Sequence, residues 1–179
     1  MKPMTRHFIF HAAFIATALA ASTVEAQTIS CADFLSLGGS YVLSNGTYDL
    51  HGDCSLQGDL ILKGDAVLAV NRSSLSVHGN IGLSSHAALR VTEGALNLAN
   101  DFVQQFSITA QDETVLTLKN STLKTNSGKT SSSLSSGYNG FGNSVFVADN
   151  VTLDGRSSWL LGNFRDNAKL KTINSPSVP

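Results

Sequence analysis

Apolar and polar residues alternate over short stretches for most of the chain. Units with apolar first and third positions stand at Leu60-Ile61-Leu62, Leu68-Ala69-Val70 and Leu75-Ser76-Val77. They recur at Ile81-Gly82-Leu83, Leu89-Arg90-Val91 and Leu96-Asn97-Leu98, so that 60 maps to 81, 68 to 89 and 75 to 96 at one constant offset. Upstream the register continues loosely through Tyr41/Leu43, Tyr48/Leu50 and Cys54/Leu56. Downstream it stretches through Phe106/Ile108, Leu116/Leu118 and Leu123/Thr125, then Val145/Val147 and Val151/Leu153. A period of two predicts strands with one buried face. Three such strands cannot bury their own inward side chains, so each repeat needs neighbours stacked ~4.8 Å above and below it.

Corners fit the same picture. Gly52-Asp53, Gly58-Asp59, Gly64-Asp65, Gly79-Asn80 and Gly94 lie between the strands, and Gly, Asp and Asn suit tight turns. No proline occurs from Gln27 to Ser175, as expected where every N–H serves a ladder. An antiparallel sandwich also has many short strands, but it gives no reason for three consecutive strands to repeat at one offset. The pattern therefore predicts an all-β fold, a single-stranded parallel β-helix (β-solenoid) of about five coils.

Residues 1–26 read as a secretory signal. Lys2, Arg6 and His7 precede an apolar run from Phe8 to Ala21, and Val24-Glu25-Ala26 offers small residues for cleavage between Ala26 and Gln27. The run is shorter than the ~20 residues of a bilayer-spanning helix, so no transmembrane segment is expected in the mature form. The protein is expected to be secreted or periplasmic. Cys31 follows no apolar residue at the usual lipidation spacing, and an oxidising compartment favours its pairing with Cys54. Ser30 to Leu37 predicts a short capping helix, with Ser30 as N-cap, Asp33 in the first turn and Gly38 as the stop. The organisation is then signal 1–26, N-terminal cap 27–40, solenoid 41–173 with a loop insertion at 126–144, and tail 174–179.

An exported chain with an N-terminal cap and three short strands per coil resembles the right-handed parallel β-helix proteins of the pectate-lyase-like superfamily. The resemblance covers roughly residues 30 to 173 and names no specific family within it. It implies right-handedness, and it brings polysaccharide lyases and hydrolases, tailspikes and adhesins into view as relatives.

Composition and charge narrow the chemistry. The chain has 12 basic and 13 acidic residues and a net charge of −1, with no basic cluster for nucleic acid. The polygalacturonase-like combination of Asn-x-Asp, an Asp pair, Gly-His-Gly and Arg-x-Lys does not occur. Asp112-Glu113 reads as a corner, and adjacent strand residues point to opposite faces. His51, His78 and His86 read as solvent-facing corner residues without ligands at zinc spacing. No cofactor is expected; calcium at Asp149, Asp154 and Asp166 is the alternative. Asn45, Asn71, Asn120 and Asn150 match the glycosylation acceptor pattern, but beside a signal of bacterial type they read as coincidences of composition.

One binding site is singled out. A Ser-rich stretch over 126–137 leads into Tyr138-Asn139-Gly140-Phe141-Gly142-Asn143, and aromatics on a loop can stack on sugar rings. The expectation is an exported, non-enzymatic protein serving carbohydrate binding, surface adhesion or assembly, with Tyr138 and Phe141 as the binding residues. Its partners are a polysaccharide or cell-surface glycan, and a second copy through an open strand edge. The alternative is a polysaccharide-degrading lyase or glycoside hydrolase, or an N-terminal fragment of one. Mass spectrometry of the exported protein should find Gln27 at its N-terminus; retention of the segment 1–26 would refute the cleavage site.

Overall fold

The computed structural model describes residues 25–37, 40–99, 106–125, 137–155 and 163–175. The proposed cleavage signal up to residue 24, the Gly38 stop, the Ser-rich stretch 126–136 and the end of the tail lie outside the described residues. The described chain runs β1 (Gln27–Ser30), α1 (Cys31–Ser36), β2 (Tyr41–Ser44), β3 (Thr47–His51), β4 (Cys54–Leu56), β5 (Leu60–Lys63), β6 (Val67–Asn71) and β7 (Ser74–Val77). It continues with β8 (Ile81–Leu83), β9 (Ala88–Thr92), β10 (Ala95–Leu98), β11 (Ile108–Ala110), β12 (Val115–Thr125), β13 (Tyr138–Gly140), β14 (Val145–Gly155) and β15 (Lys169–Ile173).

The single-stranded β-helix of about five coils is corrected by the sheet topology. The strands form two parallel sheets, one of ten strands and one of five, and the only helix among the described residues has six residues. The ten-stranded sheet follows the path β1-β3-β6-β9-β12-β10-β7-β4, doubling back at β12 into a nearly closed, barrel-like wall; β14 and β15 extend it. The second sheet runs β13-β11-β8-β5-β2. The physical reason lies in β12 and β14. Each runs 11 residues without a break, and pairing resumes directly beyond Asn120 and Asn150, which take left-handed φ of 47° and 52°. A corner that keeps its neighbours in register does not separate two sheets, so two rows of strands become one sheet.

The constant offset between repeats is itself a hydrogen-bonding register. Leu60 pairs with Ile81, Leu68 with Leu89 and Leu75 with Leu96, all in parallel. Alternate residues point inward, so like sits on like. Leu50, Val70, Val91, Leu118 and Ala148 form one buried column, and Leu68, Leu89, Leu116 and Phe146 another. Each Leu, Ile or Val buried in this way contributes ~1.5–3 kcal/mol. One frame expectation fails: Val145 and Val147 face outward, while Phe146 and Ala148 are buried. The segment expected as a loop also contributes a strand, β13.

The N-terminal cap forms as the residues dictate. Ser30 caps α1, its hydroxyl accepting from the Asp33 N–H at 3.3 Å while the Asp33 carboxylate accepts from the Ser30 N–H at 2.7 Å. The Ser30 backbone N–H, then its hydroxyl, hold the Asp33 carboxyl below its ordinary value. Because the folded state lowers this pKa, the stabilisation is present above the ordinary carboxyl range and is lost as pH falls through the lowered value. Phe34 is fully buried against Tyr41, with ring centroids 6.3 Å apart. The Cys31–Cys54 disulfide joins α1 to β4 across 23 residues, which stabilises by ~3 kcal/mol in the chain-entropy model. A disulfide marks an oxidising environment of the extracellular or periplasmic kind.

Successive repeats approach closely where side chains are absent. A Cβ on Gly94 would overlap the Ser73 carbonyl oxygen, and one on Gly79 would overlap the Gly58 carbonyl. Neither neighbour is a side chain that can swing away. Gly94→Ala should therefore cost about 2 kcal/mol or more. Urea denaturation checks this, and an unchanged midpoint would contradict the close approach.

Candidate functional site

The outward residues of the five-stranded sheet and of the corner beyond it stack as regularly as the core. Thr109 pairs with Asn139 in the sheet. One repeat further on, the Gly140 N–H donates to the Asn163 carbonyl at 2.9 Å and the Arg165 N–H to the Gly140 carbonyl at 3.0 Å. These bonds set Asn139 beside Asn163, Phe141 beside Arg165 and Asn143 beside Asn167. Side chains complete the link: the Asn163 amide donates to Asn139 Oδ1 at 3.3 Å and the Asn167 amide to Asn143 Oδ1 at 3.2 Å. Gly142, with φ 64°, allows the tight corner, and its N–H donates to the Asp166 carboxylate at 3.2 Å.

Tyr138 and Phe141 part company here. Tyr138 is the inward residue of β13, 2% exposed, with its ring 5.1 Å from Phe146 and 5.3 Å from Phe164. The expectation that Tyr138 presents its ring to a ligand is corrected: strand alternation turns it into the core. Phe141 is half-buried on the outer side, with the Arg165 guanidinium 6.0 Å from its ring centroid. A planar aromatic, a guanidinium and four amides thus share one outer surface. Such groups offer stacking area together with paired donors and acceptors.

Asn163, Arg165 and Asn167 were missed in the sequence, although a signal exists. Asn139-Gly-Phe-Gly-Asn143 and Asn163-Phe-Arg-Asp-Asn167 both carry asparagine at their first and fifth places. The period of the earlier repeats hides that match, because the later repeats are longer.

The remaining candidates do not assemble into a second site. His51 and His78 are exposed at separate corners. His86 lies between two carboxylates that the stacking brings to it, with Nδ1 3.2 Å from Asp65 and Nε2 3.5 Å from Glu113. Each ring nitrogen faces a different acid, so the three do not converge on one ion, and all three side chains are exposed. Among the described residues no group of three His, Cys, Asp or Glu is placed to hold a metal. Asp149 lies on the outer face of β14 beside Lys119 and Ile173, whereas Asp166 sits at the corner beside Gly142. The two acids expected to share a turn edge are thus on different faces, and the Asp154 side chain lies outside the described residues. No described helix is long and apolar enough to cross a membrane. Comparison with family models, curated proteins and solved structures finds no match, so the pectate-lyase-like resemblance has no relative behind it.

Burial raises the Tyr138 hydroxyl above its ordinary pKa of 10.0, with the nearby Ser144 hydroxyl opposing it more weakly. Neither hydroxyl completes a hydrogen bond among the described residues. The folded state thus favours the neutral phenol, so stability present below pH ~10 is lost as pH rises through the raised value. Alkaline unfolding followed by circular dichroism should soften in Tyr138→Phe, which also removes an unpaired buried hydroxyl. Identical alkaline profiles would refute this assignment.

Proposed function

We propose that the chain is an exported, non-enzymatic protein that binds carbohydrate through the surface formed by Asn139, Phe141, Asn143, Asn163, Arg165 and Asn167. The observation that carries the reading is the in-register pairing of these amides around a half-exposed aromatic. Sugars are recognised by such combinations of a flat apolar face and fixed polar groups. Adjacent strands lie ~4.8 Å apart, close to the length of one β-linked hexose, so neighbouring repeats can meet neighbouring sugars of one chain. The Cys31–Cys54 bridge and the Phe8–Ala21 apolar run support export to a compartment where glycans are found. Binding to a surface glycan would serve attachment.

The test mixes the purified protein with plant and cell-wall polysaccharides and follows both by size exclusion with light scattering. Co-elution with an intact polymer is expected, and Phe141→Ala or Arg165→Ala should weaken it about tenfold. A polymer that shortens would replace this reading with that of a polysaccharide-degrading enzyme. Elution apart from every polymer, or binding indifferent to both substitutions, would overturn it.

A further inference from the structure

We infer that the outer face of the ten-stranded sheet, between β3 and β15, pairs with the same face of a second copy whose order of strands is reversed. This face lies apart from the amide surface and makes no use of it.

Strand alternation sets three outward ranks on this face, two held in register across six strands and the third across the five from β6 to β15. The first rank carries Thr47, Val67, Ala88, Val115, Val145 and Lys169. At its centre are four small apolar side chains in succession, Val67, Val115 and Val145 partly buried and Ala88 buried between its neighbours. The second rank opens on Asp49, passes Ala69, Arg90, Thr117 and Val147, and closes on Lys171. The valines here are neither buried in the core nor fully exposed. Asp49, which accepts from the Asn71 amide at 2.9 Å, thus stands at the β3 end and two lysines at the β15 end. Between them the first rank is apolar, and the second carries exposed Arg90 and half-buried Thr117 between Ala69 and Val147.

That polarity chooses an occupant. A two-fold axis along the strand direction reverses the order of strands while keeping each rank on itself. Asp49 then faces Lys171 of the second copy, Val67 faces Val145, Ala88 faces Val115 and Ala69 faces Val147. In the third rank Asn71 faces Asp149 and Thr92 faces Lys119. Arg90 faces Thr117, one strand away from the Arg90 of the second copy, and no like charges face each other directly. A two-fold axis along the stacking direction would instead set Asp49 on Asp49, Arg90 on Arg90 and Lys171 on Lys171. Isologous contacts of the first kind are self-complementary. Three ranks over five or six strands cover about 600 Å² on each partner, the lower end for specific complexes, so a reversible dimer is expected.

The Asp49–Lys171 contact gives a test that misfolding cannot imitate. Sedimentation of the purified full chain over a concentration series should show a monomer–dimer equilibrium. Asp49→Lys alone and Lys171→Asp alone should each weaken it roughly tenfold, and the two together in one chain should restore it. Val145→Glu, on the solvent side of β14, should abolish the dimer while leaving circular dichroism unchanged. A monomer at every concentration would overturn the inference. So would a dimer unaffected by all these variants, which would place association at another surface such as the open edge of β15, or single-charge losses that the double variant does not restore.

Discussion

The molecule depends on in-register parallel hydrogen bonding between residues one repeat apart. Because Leu60 bonds across to Ile81 and Leu68 to Leu89, each inward side chain rests on the equivalent one in the neighbouring strand. The inward side chains of these strands belong to one hydrophobic cluster, so ladder and core depend on the same register. A slip of one residue would turn every inward leucine to solvent.

The same register explains the corners. Arg72, Glu93, Asn120, Asn150 and Asn174 take left-handed backbone conformations at one edge, and Ser85, Asp112 and Asp166 at another. A non-glycine residue in that region costs of order 1 kcal/mol. Bonds between neighbouring repeats offset the cost: the Asn150 amide donates to Asn120 Oδ1, the Ser85 N–H to Asp112, and Arg72 pairs with Glu93. Three of the four glycosylation-like asparagines, Asn45, Asn120 and Asn150, sit at such left-handed positions. Their recurrence follows from backbone geometry, since asparagine tolerates that conformation and bonds along the ladder.

Ligand chemistry on this framework belongs to its walls. The parallel ladder lines up outward positions from strand to strand, giving paired amides beside Phe141 and an apolar rank from Val67 to Val145. Both surfaces arise because the outward residues vary from strand to strand while the inward ones stay apolar. A surface built this way is rigid in advance, so little ordering is needed when a partner binds.

The sequence by itself determined most of the strands from Tyr41 to Leu123, the pairing register of Leu60 with Ile81 and Leu68 with Leu89, the capped helix at Ser30–Asp33 and the pairing of Cys31 with Cys54. Those features rest on local chemistry or on a repeat that can be counted. Only the tertiary structure decided how the strands divide into sheets, because that turns on whether the chain stays hydrogen-bonded through Asn120 and Asn150. It also decided that Tyr138 points inward and Phe141 outward, since the frame of β13 is set by its pairing with Ile108 and Ala110. Nothing in Tyr138-Asn139-Gly140-Phe141 fixes that frame locally. Likewise Asp65, His86 and Glu113 meet, and Asn163 and Arg165 join Asn139 and Phe141, through ladders between whole repeats, where neighbours in space are strangers in sequence.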